Sequence, residues 1–328
     1  MRPFAYARAA SADGAIATLR RHPSGAYLAG GTNVVDLIKL DVAQPDLLVD
    51  VNLLPYASID RLPDGSVRIG ALARMSDTAD HPLIRENAPA VSSALLQSAS
   101  AQLRNMASIG GNVLQRTRCP YFRDTATPCN KRRNGEGCSA TGGDDRTMAI
   151  LGASASCIAT HPSDFAVAMI ATDATIHLRG PSGERTVPFA GFHRLPGSDP
   201  TRDTIIAPGE LITGVSFVPS AVTRKATYLK VRDRASYEFA LVSVAAGLDV
   251  QGGTIRAVRL ALGGVAHAPW RAQAAEAALI GKAPTRENFL AAADAELRAA
   301  KPQRLNAFKV PMARNAIARA LATAGATA

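Results

Sequence analysis

Apolar and polar positions repeat along this chain with two periods, and the change from one period to the other divides it into three stretches. Residues 4–8 alternate apolar and polar, and residues 13–21 then carry the spacing of an amphipathic helix. A short strand, Ala26-Tyr27-Leu28, runs into Ala29-Gly30-Gly31-Thr32-Asn33, and a helix pattern over residues 34–39 follows at once. Residues 47–51, Leu-Leu-Val-Asp-Val, read as a buried strand. This predicts a small α/β unit over residues 1–55.

A second unit, residues 56–222, opens with the alternating strand 67–71. Residues 87–106 predict one helix, with Val91, Ala94, Leu95, Ala99 and Leu103 at i, i+3/i+4 spacing. Beyond Gly110-Gly111 comes a stretch of about residues 114–160, rich in Arg, Gly, Asp and Thr, that holds every cysteine in the chain. A loop this long is uncommon in a compact domain unless it has a function, so something must order it. Residues 165–190 predict strand and turn, and 210–218 a further strand. A third unit, residues 223–328, pairs strands 240–250 and 255–262 through Gly252-Gly253, a hairpin signal, and continues as helices over 271–280, 286–298 and 310–324. There is no internal repeat.

Composition sharpens this picture in a few places. The length of 328 residues suits two or three units at roughly 100–200 residues each, and aromatics make up only 5%, so alanine and aliphatic packing must fill the core. The net charge of +10 favours acidic partners. The densest basic runs, 116–118 and 131–133, lie beside cysteines and carry no nucleic-acid signature, which argues against a nucleic-acid partner. No apolar run approaches the roughly 20 residues of a membrane span. Residues 1–6 lack the apolar region of a secretory signal, so the expected location is the cytoplasm, or the periplasm by export in the folded state with a signal-bearing partner.

Ala29 to Asn33 sits between strand and helix. Glycines there remove Cβ atoms so that backbone N–H groups can converge, the helix start adds partial positive charge, and Thr32 and Asn33 add donors, which makes a plausible pyrophosphate cradle. A tight turn would explain two glycines as well. Ser108-Ile109-Gly110-Gly111-Asn112 repeats the chemistry in the next unit, and two such loops suggest one large anionic ligand clamped between them. His161 and His267 read as structural, and Arg232-Asp233-Arg234 as a solvated or interface charge cluster.

These loops, with Arg104-Asn105, Pro162-Ser163-Asp164, Lys230-Val231-Arg232, the run 239–245 (Phe-Ala-Leu-Val-Ser-Val-Ala) and Leu262-Gly263-Gly264-Val265-Ala266, resemble the FAD-binding subunits of the xanthine dehydrogenase and carbon monoxide dehydrogenase family, the molybdenum hydroxylases. The cysteine stretch, Gln115 to Phe122 with Pro128-Cys129-Asn130-Lys131-Arg132, resembles the branch of bacterial periplasmic aldehyde oxidoreductases, whose flavoprotein subunit carries a 4Fe–4S cluster beside its FAD. The resemblance implies an α+β protein: a vanillyl-alcohol-oxidase-type FAD domain of two α/β subdomains, then an α+β domain like that of the carbon monoxide dehydrogenase flavoprotein. It implies that Ala26, Tyr27, Leu28, Ala29, Gly30, Gly31, Thr32, Asn33 and Val34, with Ser108, Gly110, Gly111 and Asn112, embrace the FAD phosphates. It also implies that Asp164 hydrogen-bonds the cofactor and that Ile212 and Lys230 lie near the flavin. Ser108 stands where threonine is usual, and it keeps the hydroxyl.

Cys119, Cys129, Cys138 and Cys157 match no compact CxxC spacing. Four thiolates fit a 4Fe–4S cluster or a structural zinc, and two disulfides would suit an oxidising compartment. The surrounding Arg116, Arg118, Arg123, Lys131, Arg132 and Arg133 suit an anionic cluster, and the resemblance implies one. The implied function is electron relay. A molybdenum-cofactor large subunit would oxidise an aldehyde with water, a small 2Fe–2S subunit would pass the electrons on, and this chain would take them on FAD for oxygen, ferredoxin or another acceptor. The alternatives are a stand-alone flavin oxidoreductase that binds its own substrate, and a zinc-stabilised binding module.

Overall fold

In a computed structural model, residues 1–326 are described, so the last two residues of the third unit, 327 and 328, lie outside the described residues. The chain begins with β1 (Ala5–Arg8), α1 (Ala12–Arg20), β2 (Ala26–Leu28), α2 (Val34–Lys39) and β3 (Leu47–Asp50). The Ser11 hydroxyl caps α1 by accepting from Gly14 N at 3.1 Å. The three strands form a parallel sheet in the order β1-β3-β2. Its middle strand β3 is buried throughout, as expected where parallel neighbours and helices cover both faces.

The next sheet is antiparallel in the order β4-β5-β8-β6-β7. Between its first two strands, β4 (Ile59–Arg61) and β5 (Val67–Gly70), and the rest lie seven helices. These are α3 (Met75–Asp80), α4 (Pro82–Asn87), α5 (Pro89–Leu96), α6 (Ala101–Met106), α7 (Ile109–Val113), α8 (Pro120–Arg123) and α9 (Asp164–Ile170). The sheet is completed by β6 (Thr175–Gly180), β7 (Gly183–Pro188) and β8 (Leu211–Phe217).

Two departures from the sequence reading have clear causes. The single helix expected over 87–106 is broken at Ala99, whose φ is +48°. Bonds from other elements displace the helical ones at this point. The Gln97 carbonyl accepts from Lys230 and Arg232, the Ser98 carbonyl from Arg104, and the Ser100 hydroxyl caps α6. The strand expected from residue 165 is instead helix α9. All seven of its residues are buried between α5 and the C-terminal sheet, so its apolar run carries no helical period. Ser163 caps it, accepting from Ala166 N at 2.9 Å.

After α10 (Ala221–Arg224) the C-terminal sheet runs β12-β11-β10-β9, formed by β9 (Thr227–Val231), β10 (Val242–Gln251), β11 (Thr254–Gly263) and β12 (Trp270–Arg271). Gly252 and Gly253 make the β10–β11 turn with φ of +56° and +73°, the left-handed pair a two-residue hairpin needs. Helices α11 (Gln273–Leu279), α12 (Arg286–Leu297) and α13 (Lys309–Ala326) close over this sheet, and their alanine-rich faces share one core with it. No described helix is long and apolar enough to cross a membrane.

The C-terminal unit also orders the cysteine stretch. The Lys309 ammonium is fully buried and donates to the carbonyls of Thr147, Met148 and Gly264. Asn306 donates to the Met148 carbonyl at 3.0 Å, and Leu305 N to Asp145 at 2.7 Å. The stretch has a small core of its own, in which Leu37 of α2 packs with Phe122, Met148 and Ile158.

Candidate functional site

The first glycine loop leaves β2 and turns at Gly31, where φ is +74°. Gly30 packs directly on the chain ahead of the second loop: a Cβ there would stand 1.8 Å from the Met106 carbonyl oxygen. Only glycine permits this approach, which joins the two loops. Two side chains that the sequence reading did not single out complete the join. Asn52 donates to the Ala29 carbonyl at 3.0 Å, and Arg74 donates to the Met106 carbonyl at 2.6 Å and to Asn52 Oδ1 at 3.1 Å. Neither belongs to a motif, so only the tertiary structure reveals them.

The second loop is the start of α7. The Ser108 hydroxyl accepts from Gly111 N at 3.2 Å, which leaves its own proton free, and Gly110 N donates to the Ala71 carbonyl at 2.7 Å. Asn112 is buried, with Nδ2 on Met75 Sδ and Oδ1 accepting from Ser163 and Gln115. It thereby links α7 to the cap of α9.

Both loops open onto one cleft of about 600 Å³. Thr32 and Asn33 line it from the first loop and Gly111 and Asn112 from α7, with Asp164 and Lys230 on the same wall. Ala26, Tyr27 and Leu28 lie in β2, and Ala29, Gly30, Gly31, Val34, Ser108 and Gly110 adjoin the lining residues in sequence; none of these is itself on the cleft wall. Ile212 lies in β8, buried in the core of the middle sheet and off the cleft wall. Further lining residues are Ala99 with its left-handed backbone, Arg118 and Arg123, and the aromatic pair Tyr237 and Phe239.

Asp164 and Lys230 form a buried ion pair of 2.8 Å, with side chains 5% and 1% exposed. Asp164 also accepts from Tyr228 at 2.6 Å and Ser98 at 2.9 Å, and Lys230 donates to the Gln97 carbonyl at 3.1 Å. Burial, with the adjacent Asp164 charge, pushes the Tyr228 phenol well above its usual range and keeps it a donor. Burial, and then the like charge of Arg123, push the Arg118 guanidinium down to about 10, so it stays charged at neutral pH. The buried Asn33 Oδ1 has no partner within the chain. Of the three guanidinium groups that line the cleft, Arg123 and Arg234 pair with Asp36 and Glu238, and a cleft of this size with the Arg118 charge and an unpartnered buried polar atom fits FAD.

A smaller annex of about 180 Å³ shares Arg118, Pro162, Asp164 and Phe239 with the cleft and reaches back to Cys119. Beyond it, Cys119, Cys129, Cys138 and Cys157 ring one small cavity, with Cys129 and Cys138 facing each other across an antiparallel bridge. All four are free thiols, so the structure forms neither of the disulfides considered from sequence. Burial raises the thiols of Cys119, to about 11, and Cys157. Among the described residues, no three His, Cys, Asp or Glu side chains stand in the arrangement of a metal-ion site. Asp233 of the 232–234 charge cluster pairs with Arg146 at the surface, and His267 is held by the Arg194 carbonyl.

A glycine turn and a glycine-bearing helix start, joined through Gly30 and bordering one cleft, fit a flavin-nucleotide-binding protein. The sequence places it more narrowly. Residues 2–221 match the FAD-binding domain in molybdopterin dehydrogenase, and residues 227–324 match the carbon monoxide dehydrogenase flavoprotein C-terminal domain. The chain belongs to the FAD-binding subunits of the molybdenum hydroxylase family.

It is 46% identical to the aldehyde oxidoreductase FAD-binding subunit PaoB of Escherichia coli, over 100% of each chain. It is 30% identical to the glyceraldehyde dehydrogenase medium chain of Sulfolobus acidocaldarius, over 85% of this chain and 82% of that one. Among solved structures, carbon monoxide dehydrogenase from Hydrogenophaga pseudoflava superposes with a TM-score of 0.77 at 28% identity, covering 100% of this chain and 99% of the other.

Proposed function

We propose that this chain is the FAD-carrying electron-transfer subunit of a molybdenum-dependent aldehyde oxidoreductase. A large partner with a molybdenum cofactor converts aldehyde and water to carboxylic acid. A small 2Fe–2S partner relays the electrons, and this chain takes them up for an external acceptor such as oxygen or a ferredoxin. The observation that carries this reading is the 46% identity, over the whole of both chains, to an aldehyde oxidoreductase FAD-binding subunit.

Bound in the cleft, FAD supplies the ability to accept electrons in pairs and release them singly. The chain's own residues hold and bias it. Thr32 and Asn33 offer donors to the phosphates, the Ser108 hydroxyl keeps a free proton, and Arg118 adds positive charge, while Gly111 and Asn112 shape the cleft wall. Asp164 already accepts three hydrogen bonds, so it serves as an anchor for cofactor hydroxyls and for Lys230. Held in place by that carboxylate, the Lys230 ammonium favours negative charge on the reduced ring.

We also assign a 4Fe–4S cluster to Cys119, Cys129, Cys138 and Cys157. All four thiols line one cavity that, among the described residues, holds no carboxylate or histidine, and Lys131 is the cation on its wall. The assembly proposed is a heterotrimer located in the periplasm, reached by co-export with a signal-bearing partner, with the cytoplasm as the alternative. The test is to co-express the three subunits, fractionate the cells, and measure the mass, flavin, iron and zinc of the purified complex. One FAD, and four irons beyond those of the 2Fe–2S partner, are expected per complex. Absence of flavin ends the FAD reading, and zinc in place of iron ends the cluster reading.

A further inference from the structure

Six basic residues flank the cysteines in sequence, and the structure gives them different tasks. Arg123 pairs with Asp36 through bonds of 2.6 and 3.0 Å, and Arg133 with Glu136 at 3.1 Å, so both charges are neutralised locally. Arg132 donates to the carbonyls of Tyr121, Phe122 and Thr127 and braces the loop between Cys119 and Cys129. Arg118 faces the FAD cleft. The remaining two, Arg116 and Lys131, converge on one carboxylate, that of Asp203.

Lys131 is set apart by its position. Its side chain is 1% exposed and it lines the cavity that the four cysteines ring. Its ammonium donates to Asp203 and to the Pro200 carbonyl at 3.2 Å. Arg116 donates to Asp203 at 2.7 Å and lies over the ring of Phe122, another wall of the cavity, at 4.7 Å. Two cations against one carboxylate leave net positive charge beside the thiols. Although burial alone would raise it, Asp203 is held far below the usual carboxylate range by Arg116 and Lys131, so it stays ionised. The neighbouring His267 ring nitrogen, 3.8 Å from Asp203, is neutral above about pH 4 because it is buried.

We propose that Lys131, anchored by Asp203, is a positioning residue that sets how readily the four-cysteine centre accepts an electron. The proposal rests on the assignment of those cysteines to an iron–sulfur cluster. Reduction adds one negative charge to an already anionic cluster, and a fixed ammonium at the cavity wall favours that form and raises the potential. Asp203 acts in the opposite sense, holding the ammonium in place while offsetting part of its charge. Removing each charge in turn therefore moves the potential in opposite directions, which a loss of packing alone would not do.

The assembled complex carrying Lys131→Met or Asp203→Asn is titrated with dithionite through redox mediators. The cluster is followed by electron paramagnetic resonance, and iron and FAD are counted in the same samples. Lys131→Met is expected to lower the midpoint by enough to reduce the reduced-to-oxidised ratio at fixed potential about tenfold, or about 59 mV for a one-electron couple. Asp203→Asn, which keeps the shape and one acceptor for Lys131, is expected to raise it. Unchanged potentials with iron retained, or shifts of the same sign, overturn the role given to Lys131. If Lys131→Met loses the four irons assigned to this chain, Asp203→Asn decides: a raised potential supports the proposal, and an unchanged or lowered one overturns it. A wild-type complex that holds FAD but no iron beyond that of its 2Fe–2S partner overturns the cluster assignment itself.

Discussion

The Asp164–Lys230 pair can be taken apart one charge at a time, and the structure predicts an asymmetric result. Both groups are out of water, so removing one partner leaves the other as an uncompensated buried charge, at a cost of about 3–5 kcal/mol. After Lys230→Met, the Asp164 carboxylate keeps its bonds from Tyr228 and Ser98, so the loss should fall at the low end of that range. After Asp164→Asn, the Lys230 ammonium keeps only the Gln97 carbonyl and the amide oxygen, so the loss should fall at the high end. At about 2–4 °C per kcal/mol for folding units of this size, the unfolding midpoint drops by about 6–20 °C. The double variant removes both charges and should recover most of that loss, because neither charge is then left unpaired. Calorimetry of the four proteins, each saturated with FAD, measures the cycle. Single variants that cost less than about 1 kcal/mol, or a double variant as unstable as the two losses added, would refute the buried-pair reasoning.

The same geometry makes three further predictions. Gly30→Ala puts a methyl against the Met106 carbonyl, and the loops must part by roughly 1 Å or more to admit it. FAD should be weakly held or absent in the purified protein, and a normal flavin content would show that the loops do not need this contact. Cys129→Ser should lose most of its iron while keeping FAD, as read by metal analysis beside the flavin spectrum. A variant with full iron would remove Cys129 from the ligand set. Burial lowers His193 and His267 to about 4, below the ordinary value of about 6.5 that they regain on unfolding. The unfolded chain therefore binds more protons between those values. Stability should be full above about pH 6.5 and fall as the pH drops towards 4, by on the order of 3 kcal/mol for each histidine. A thermal midpoint that stays flat or rises as the pH is lowered from about 6.5 to about 4 would contradict the neutral, buried assignment.

Much of the cleft was legible in the sequence because backbone requirements leave visible marks. The glycine turn after β2, the glycine start of α7 and the glycine hairpin of the last sheet each need particular residues at particular places. What was missed depends on contacts remote in sequence. Arg74 and Asn52 tie the loops together but belong to no motif. The break at Ala99 follows from Lys230 and Arg232 taking the Gln97 carbonyl, more than a hundred residues away in sequence. Helix α9 is buried on every side, so it shows no amphipathic period. The six basic residues around the cysteines look alike in sequence, and only burial and partners single out Lys131.

The central claim is that this chain accepts electrons on FAD from partner subunits and does not itself oxidise the substrate. Its most direct test is anaerobic mixing of an aromatic or aliphatic aldehyde with the purified, FAD-loaded chain, first alone and then with the molybdenum and 2Fe–2S subunits added. The visible flavin band should stay unchanged with the chain alone and bleach once the partners are present. Bleaching by aldehyde with this chain alone would contradict it.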